Sequence, residues 1–168
     1  MYKHILIPTD GSPLSQKAIE EAVSLAKALG AKVTGVNVVA EFGAAEAHLG
    51  FLRAYREGWT MPGTPPDQAS QFPASAEEHL EQARGIAEYR LSAVESAAGD
   101  QGVECNCVYK IHDEPYEAII ETAKEQGCDL IAMASHGWRG ARGLVLGSET
   151  NKVITHSSVP VLVLRYTR

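Results

Sequence analysis

The chain has 168 residues, 45% of them hydrophobic, which suits one compact domain with a real core and leaves two cramped. Fifteen basic residues against 21 acidic ones give a formal net charge of -6, the opposite of the basic footprint of a nucleic-acid binder. No run of about 18 apolar residues offers a membrane span, and Met1 to Pro8 is too short before its proline for a signal peptide, so a cytoplasmic protein with neither membrane nor nucleic-acid partner is expected.

The elements follow in chain order. Lys3 to Ile7 is a strand. Ser12 as N-cap and Pro13 at the first helical position launch a helix whose Ala18, Ala22, Leu25, Ala26 and Leu29 share one face, closed by Gly30. Ala31 to Val39 has the valine content and length of a second strand. The segment from about 41 to 74 breaks the pattern. Pro62, Gly63, Pro65, Pro66 and Pro73 make its end irregular, while Phe51, Tyr55 and Trp59 recur at helical spacing. An insertion of this length reads as a lid, a docking surface for a protein partner, or an aromatic stripe packed on its own domain.

Ser75-x-x-Glu78 is a capping box that opens a long helix with Leu80, Ala83, Ala87, Leu91, Val94 and Ala98 inward. Val103 to Lys110 is the third strand; it carries Cys105 and Cys107 on one face, read with Cys128 as reduced, buried thiols rather than metal ligands. Asp113 and Pro115 start a third helix that runs to Gly127. The Leu130 strand, a helix opening at Ser148, and Val159 to Leu164 complete five strands alternating with four helices. Such alternation implies a parallel sheet covered on both faces, with ligands beyond the carboxyl ends of the strands.

Two segments have the chemistry for that position. Pro8-Thr9-Asp10-Gly11-Ser12 follows the first strand. Ala134-Ser135-His136-Gly137 follows the fourth and is succeeded, nine residues later, by Gly147-Ser148, where a helix begins with Ser148 as its natural N-cap. Gly137, Gly140 and Gly143 permit a tight turn, and a helix start offers free amides and the positive end of its dipole to an anion. The chain has no P-loop lysine motif, and no carboxylate or histidine pair can be assigned as base and water-positioner, so turnover is not expected.

On these residues the chain resembles the universal stress protein family, in its ATP-binding branch, over its length except for about 41 to 74. The family signature is glycine, two residues, glycine, nine residues, then glycine and serine or threonine; Gly137 and Gly147-Ser148 satisfy it, and Ala134 stands in place of the first glycine. The resemblance implies a single Rossmann-like α/β domain spanning residues 1–168, whose five-stranded parallel sheet has the order 3-2-1-4-5. It places Pro8, Thr9 and Asp10 beside the adenosine, with Val38 contacting adenine through its backbone. Met133, Ala134, His136 and Gly137 fall on the ribose side, and Gly147, Ser148, Glu149 and Thr150 on the phosphate side. In the intervening loop Gly140 is counted with the nucleotide-binding residues, and Arg139 and Arg142 are read either as closing over the phosphate tail or as solvated.

It further implies ATP with Mg²⁺ bound through the phosphates, a sensor or adaptor role in the stress response, and a homodimer through Val161 to Leu164. Two alternatives stay open: a nucleotide-free interaction or protective protein of the same fold, for which Ala134 speaks, and a slow ATPase. Asp10 is read either as a nucleoside or metal-phosphate ligand or as a cap of its own turn, and His136 as a backbone hydrogen-bonder in the turn. His4, His48, His79, His112 and His156 show no metal spacing and receive no role.

Overall fold

The computed structural model describes residues 1–39, 76–136 and 146–166. In chain order these form β1 (His4–Pro8), α1 (Pro13–Leu29), β2 (Lys32–Val39), α2 (Ala76–Gln101), β3 (Cys105–Ile111), α3 (Pro115–Glu125), β4 (Leu130–Ala134), α4 (Ser148–His156) and β5 (Val161–Leu164). The strands make one parallel sheet of order β3-β2-β1-β4-β5, the order that the family resemblance implies. Contacts divide the chain into two units, Met1–Ala40 with Ile86–Arg168, and Glu41–Gly85; the sheet belongs to the first. The expectations for the insertion, with Phe51, Tyr55 and Trp59, and for Ser75 of the capping box lie outside the described residues.

Both sheet faces are covered, which is why β1 and β4 read as continuous apolar runs instead of alternating. Ile5, Ile7, Val33, Leu130 and Ala132 pack with Ile19, Ala22, Val23 and Ala26 of α1 and Val94 and Ala98 of α2. Leu6, Val36, Ile131 and Met133 pack on the other face with Ile119, Ile120 and Ala123 of α3 and Val153 of α4. Each such large side chain contributes about 1.5–3 kcal/mol by its burial, so Leu6, fully enclosed at the sheet centre, is among the costliest to truncate.

Helix α1 starts and stops on its own signals. The Ser12 hydroxyl accepts the Ser15 amide at 3.1 Å, Pro13 takes the first helical position, and Gly30 closes the helix at φ 61°, where its amide reaches the Ala26 and Lys27 carbonyls. The cap of α3 is Glu114: Pro115 restricts the residue before it to extended backbone, and the cap side chain makes no capping bond. Two expectations need correction. Helix α4 is capped by Gly147, which leaves Ser148 as its first helical residue. Leu80 follows the periodicity of α2 yet is 45% exposed, whereas Ala83, Ala87, Leu91, Val94 and Ala98 are buried; helical period gives direction, and only a neighbour gives cover.

Candidate functional site

The tip of β1 is organised by side chains that turn back on the chain. Thr9 is buried; its amide donates to the Val36 carbonyl at 2.9 Å, and its hydroxyl accepts the Gly11 amide and meets the Ser15 hydroxyl, both at 3.2 Å. Asp10 accepts the Ser12 amide at 2.9 Å through Oδ1, so it closes its own turn while Ser12 caps the helix. Gly11 has φ 76°, a left-handed conformation costly for other residues, and a Cβ there would stand 2.9 Å from Cγ of Arg90. Pro8, in register with Val36, ends the strand, and Val38 continues β2 beyond it, half-buried against the α3 and α4 face.

The beginning of α4 is fastened to the end of β4. The Thr150 hydroxyl, on a side chain only 4% exposed, donates to the Ala134 carbonyl at 3.1 Å, and the Gly147 amide donates to the Ser135 carbonyl at 2.8 Å. A Cβ at Gly147 would lie 3.3 Å from that same carbonyl oxygen and 3.4 Å from Cα of His136, so the close approach of the two segments uses the missing side chain. Gly147 supplies no side-chain cap to the amides of Ser148, Glu149 and Thr150. His136 directs Nδ1 to the Ser135 hydroxyl at 3.2 Å, and its Nε2 is shielded from solvent with no hydrogen-bond partner among the described residues.

Because β1 and β4 pair directly, with Leu6 opposite Ile131, these two clusters crown neighbouring strands. Pro8, Thr9, Asp10, Met133, Ala134, His136, Gly147, Ser148 and Thr150 thus belong to the carboxyl end of two adjacent strands. Met133 and Ala134 are buried in β4 itself. Gly137, Arg139 and Gly140 lie outside the described residues. Glu149 is committed sideways: Oε2 accepts the Tyr116 amide at 3.1 Å, in the first turn of α3, and Oε1 pairs with Lys152 at 3.3 Å. A hollow of about 510 Å³ lined by Lys3, Lys27, Lys32, Gly30, Gln101 and Glu104 sits at the opposite end of the sheet and brings together charges of both signs with no converging donor set.

Comparison with known proteins settles the family. The universal stress protein family model matches residues 1–165. The chain belongs to that family. Among its relatives, the universal stress protein YxiE of Bacillus subtilis is 29% identical over 98% of this chain and 100% of its own length. The solved structure of MJ0577, from Methanocaldococcus jannaschii, superposes with a TM-score of 0.73 at 23% identity, covering 100% of this chain and 99% of the other. A universal stress protein in complex with cAMP gives 0.58 at 19% identity over 99% and 98% of the two chains. A family protein from Arabidopsis thaliana with AMP bound gives 0.62 at 13% over 98% and 92%.

In this universal stress protein several supporting residues escape a reading of sequence alone. Asn37, 1% exposed, donates through Nδ2 to the Thr9 carbonyl at 2.6 Å and so ties β2 to the tip of β1. At the far end of the sheet Asp129 accepts the Lys3 and His4 amides at 2.8 and 3.0 Å, and His4 Nε2 meets the Thr34 hydroxyl at 2.8 Å. Burial, and then the Lys32 charge, push the His4 pKa below its ordinary value; burial opposes ionisation of Asp129, but the His4 and Lys3 amides outweigh it and lower its pKa.

Proposed function

We propose that this universal stress protein binds an adenine nucleotide, ATP with Mg²⁺, across the carboxyl ends of β1 and β4, and acts in the cytoplasm as a nucleotide-dependent stress sensor or adaptor. The observation that carries the reading is the Thr150 to Ala134 hydrogen bond, which holds the uncapped start of α4 at the end of β4, beside the tip of β1. An anion with several oxygens suits that arrangement. The backbone amides of Ser148, Glu149 and Thr150 lack a side-chain cap, and the helix dipole favours negative charge there. His136 Nε2 adds a polar atom without a partner among the described residues.

In this reading Gly147, Ser148 and the following amides hold the phosphate tail, Thr9 and Asp10 border the adenosine, and the backbone near Val38 faces the base. Mg²⁺ would offset part of the phosphate charge. The AMP and cAMP complexes of the two family structures support an adenine ligand. The proposal is binding rather than turnover, since Asp10 serves its turn and His136 Nδ1 its neighbour. Mass spectrometry of gently desolvated protein with Mg-ATP tests it: one retained nucleotide per chain is expected, and no retention at millimolar Mg-ATP favours the nucleotide-free adaptor.

The homodimer belongs to the same proposal. Ile131 donates to the Pro160 carbonyl and Ser135 to the Leu164 carbonyl, each at 2.9 Å, so in a parallel ladder Val161 and Val163 turn their amides and carbonyls away from β4. An apolar edge with exposed backbone groups is a pairing surface, and a second copy about a twofold axis satisfies it without leaving an open edge.

A further inference from the structure

Outside the crevice, the chemistry-bearing cluster that the proposed function does not use is Cys105 and Cys107 on β3. Residues two apart on a strand point to the same side, and the two Sγ atoms lie 4.0 Å from each other. β3 is an edge strand, paired with β2, and both cysteines are half-buried against the core on the face covered by α2. The site is shaped by a neighbour. Gly35 stands opposite Cys107 in the ladder, and a Cβ there would lie 2.9 Å from Cys107 Sγ and 3.2 Å from Cβ of Val94 on α2. The thiol therefore occupies the space left by the missing side chain, with the Leu91 carbonyl 3.8 Å from the sulfur.

We propose that Cys105 and Cys107 form a two-thiolate binding site for a soft monovalent metal ion, Cu(I). An ion midway between the sulfurs lies about 2 Å from each, close to the roughly 2.3 Å of a zinc–thiolate bond, so small side-chain adjustments suffice. A disulfide would require the sulfurs to approach to about 2.05 Å, and two residues of extended strand separate their Cα atoms by about 6.6 Å, near the upper limit for such a bridge. Metal capture is thus the easier outcome for this geometry. Among the described residues no third histidine, cysteine, aspartate or glutamate completes a metal-binding group. That disfavours four-coordinate zinc and suits a thiophilic ion satisfied by two sulfurs.

Binding is a balanced exchange, in which Cu⁺ displaces two protons to give a bis-thiolate complex of net charge minus one, with no electron transferred.

The test is anaerobic titration of the reduced full chain with Cu(I) in competition with a chromogenic Cu(I) chelator. One equivalent withdrawn by the wild type and by Cys128→Ser, and lost in Cys105→Ser and Cys107→Ser, is expected. Equal withdrawal by wild type and the double variant Cys105→Ser/Cys107→Ser overturns the proposal. A readout on the wild type alone guards against misfolded variants: mass spectrometry after alkylation should show Cu(I) protecting Cys105 and Cys107 together, with Zn(II) giving no such protection against a competing chelator. Unchanged labelling with Cu(I), or equal protection by Zn(II), contradicts the assignment.

Discussion

The Ser12 hydroxyl oxygen accepts the Ser15 amide and closes the first turn of α1. Ser12→Ala should cost about 1 kcal/mol, read as a lower denaturation midpoint with nucleotide affinity changed little. Asn37 is the more sensitive residue because its amide is enclosed and points at the Thr9 carbonyl. Asn37→Asp sets a buried carboxylate against that oxygen, and a loss of about 3 kcal/mol in urea unfolding is expected. Gly147→Val acts differently. Its side chain starts 3.3 Å from the Ser135 carbonyl and must part α4 from β4, so ATP affinity should fall tenfold or more, about 1.4 kcal/mol, while the remote core keeps its packing.

At the scale of elements, the first turn of α3 is held from α4. Glu149 accepts the Tyr116 amide, and Lys152 joins Glu149 at 3.3 Å to Glu114 at 3.0 Å while lying 4.9 Å above the Tyr116 ring. These groups are partly exposed, so Lys152→Ala should shift the unfolding midpoint by no more than about 1 kcal/mol. What was legible in the sequence follows the range of each signal. Ser12, Pro13 and Gly30 act within a turn of themselves and mark α1 at both ends. The α4 cap is displaced by one residue because serine has the better intrinsic capping chemistry, whereas a glycine was needed where the chain crosses the Ser135 carbonyl. The bond from Asn37 to Thr9 and that from Asp129 to Lys3 join residues brought together only by strand order, and no local pattern announces them. Alternation of elements announced a parallel sheet covered on both faces, and the strand order that makes β1 and β4 neighbours followed from the family resemblance.

Across the whole molecule, pH reads the far end of the sheet. The lowered His4 pKa means that, below the ordinary 6.5, the unfolded chain takes up a proton that the folded chain resists, so stability falls as pH drops from 6.5 toward the folded value. Asp129 adds a second loss at lower pH: its contribution is present above the unfolded carboxylate range and disappears as pH falls through the lowered folded pKa. His4→Gln should flatten the first arm and leave the second, as measured by urea midpoints over the acid range. Assembly is read at the other edge. Val163→Pro removes an amide that faces away from β4; with the proposed pairing through β5, light scattering should show a dimer for the wild type and a folded monomer for the variant.

In the proposed function the start of α4 and the tip of β1 together hold a triphosphate. Calorimetric titration with ATP, ADP, AMP and cyclic AMP in the presence of Mg²⁺ addresses it directly. Affinity that rises with phosphate number and collapses for ATP in Gly147→Val is the predicted result; equal affinities for AMP and ATP, or no heat with any of the four, would contradict it.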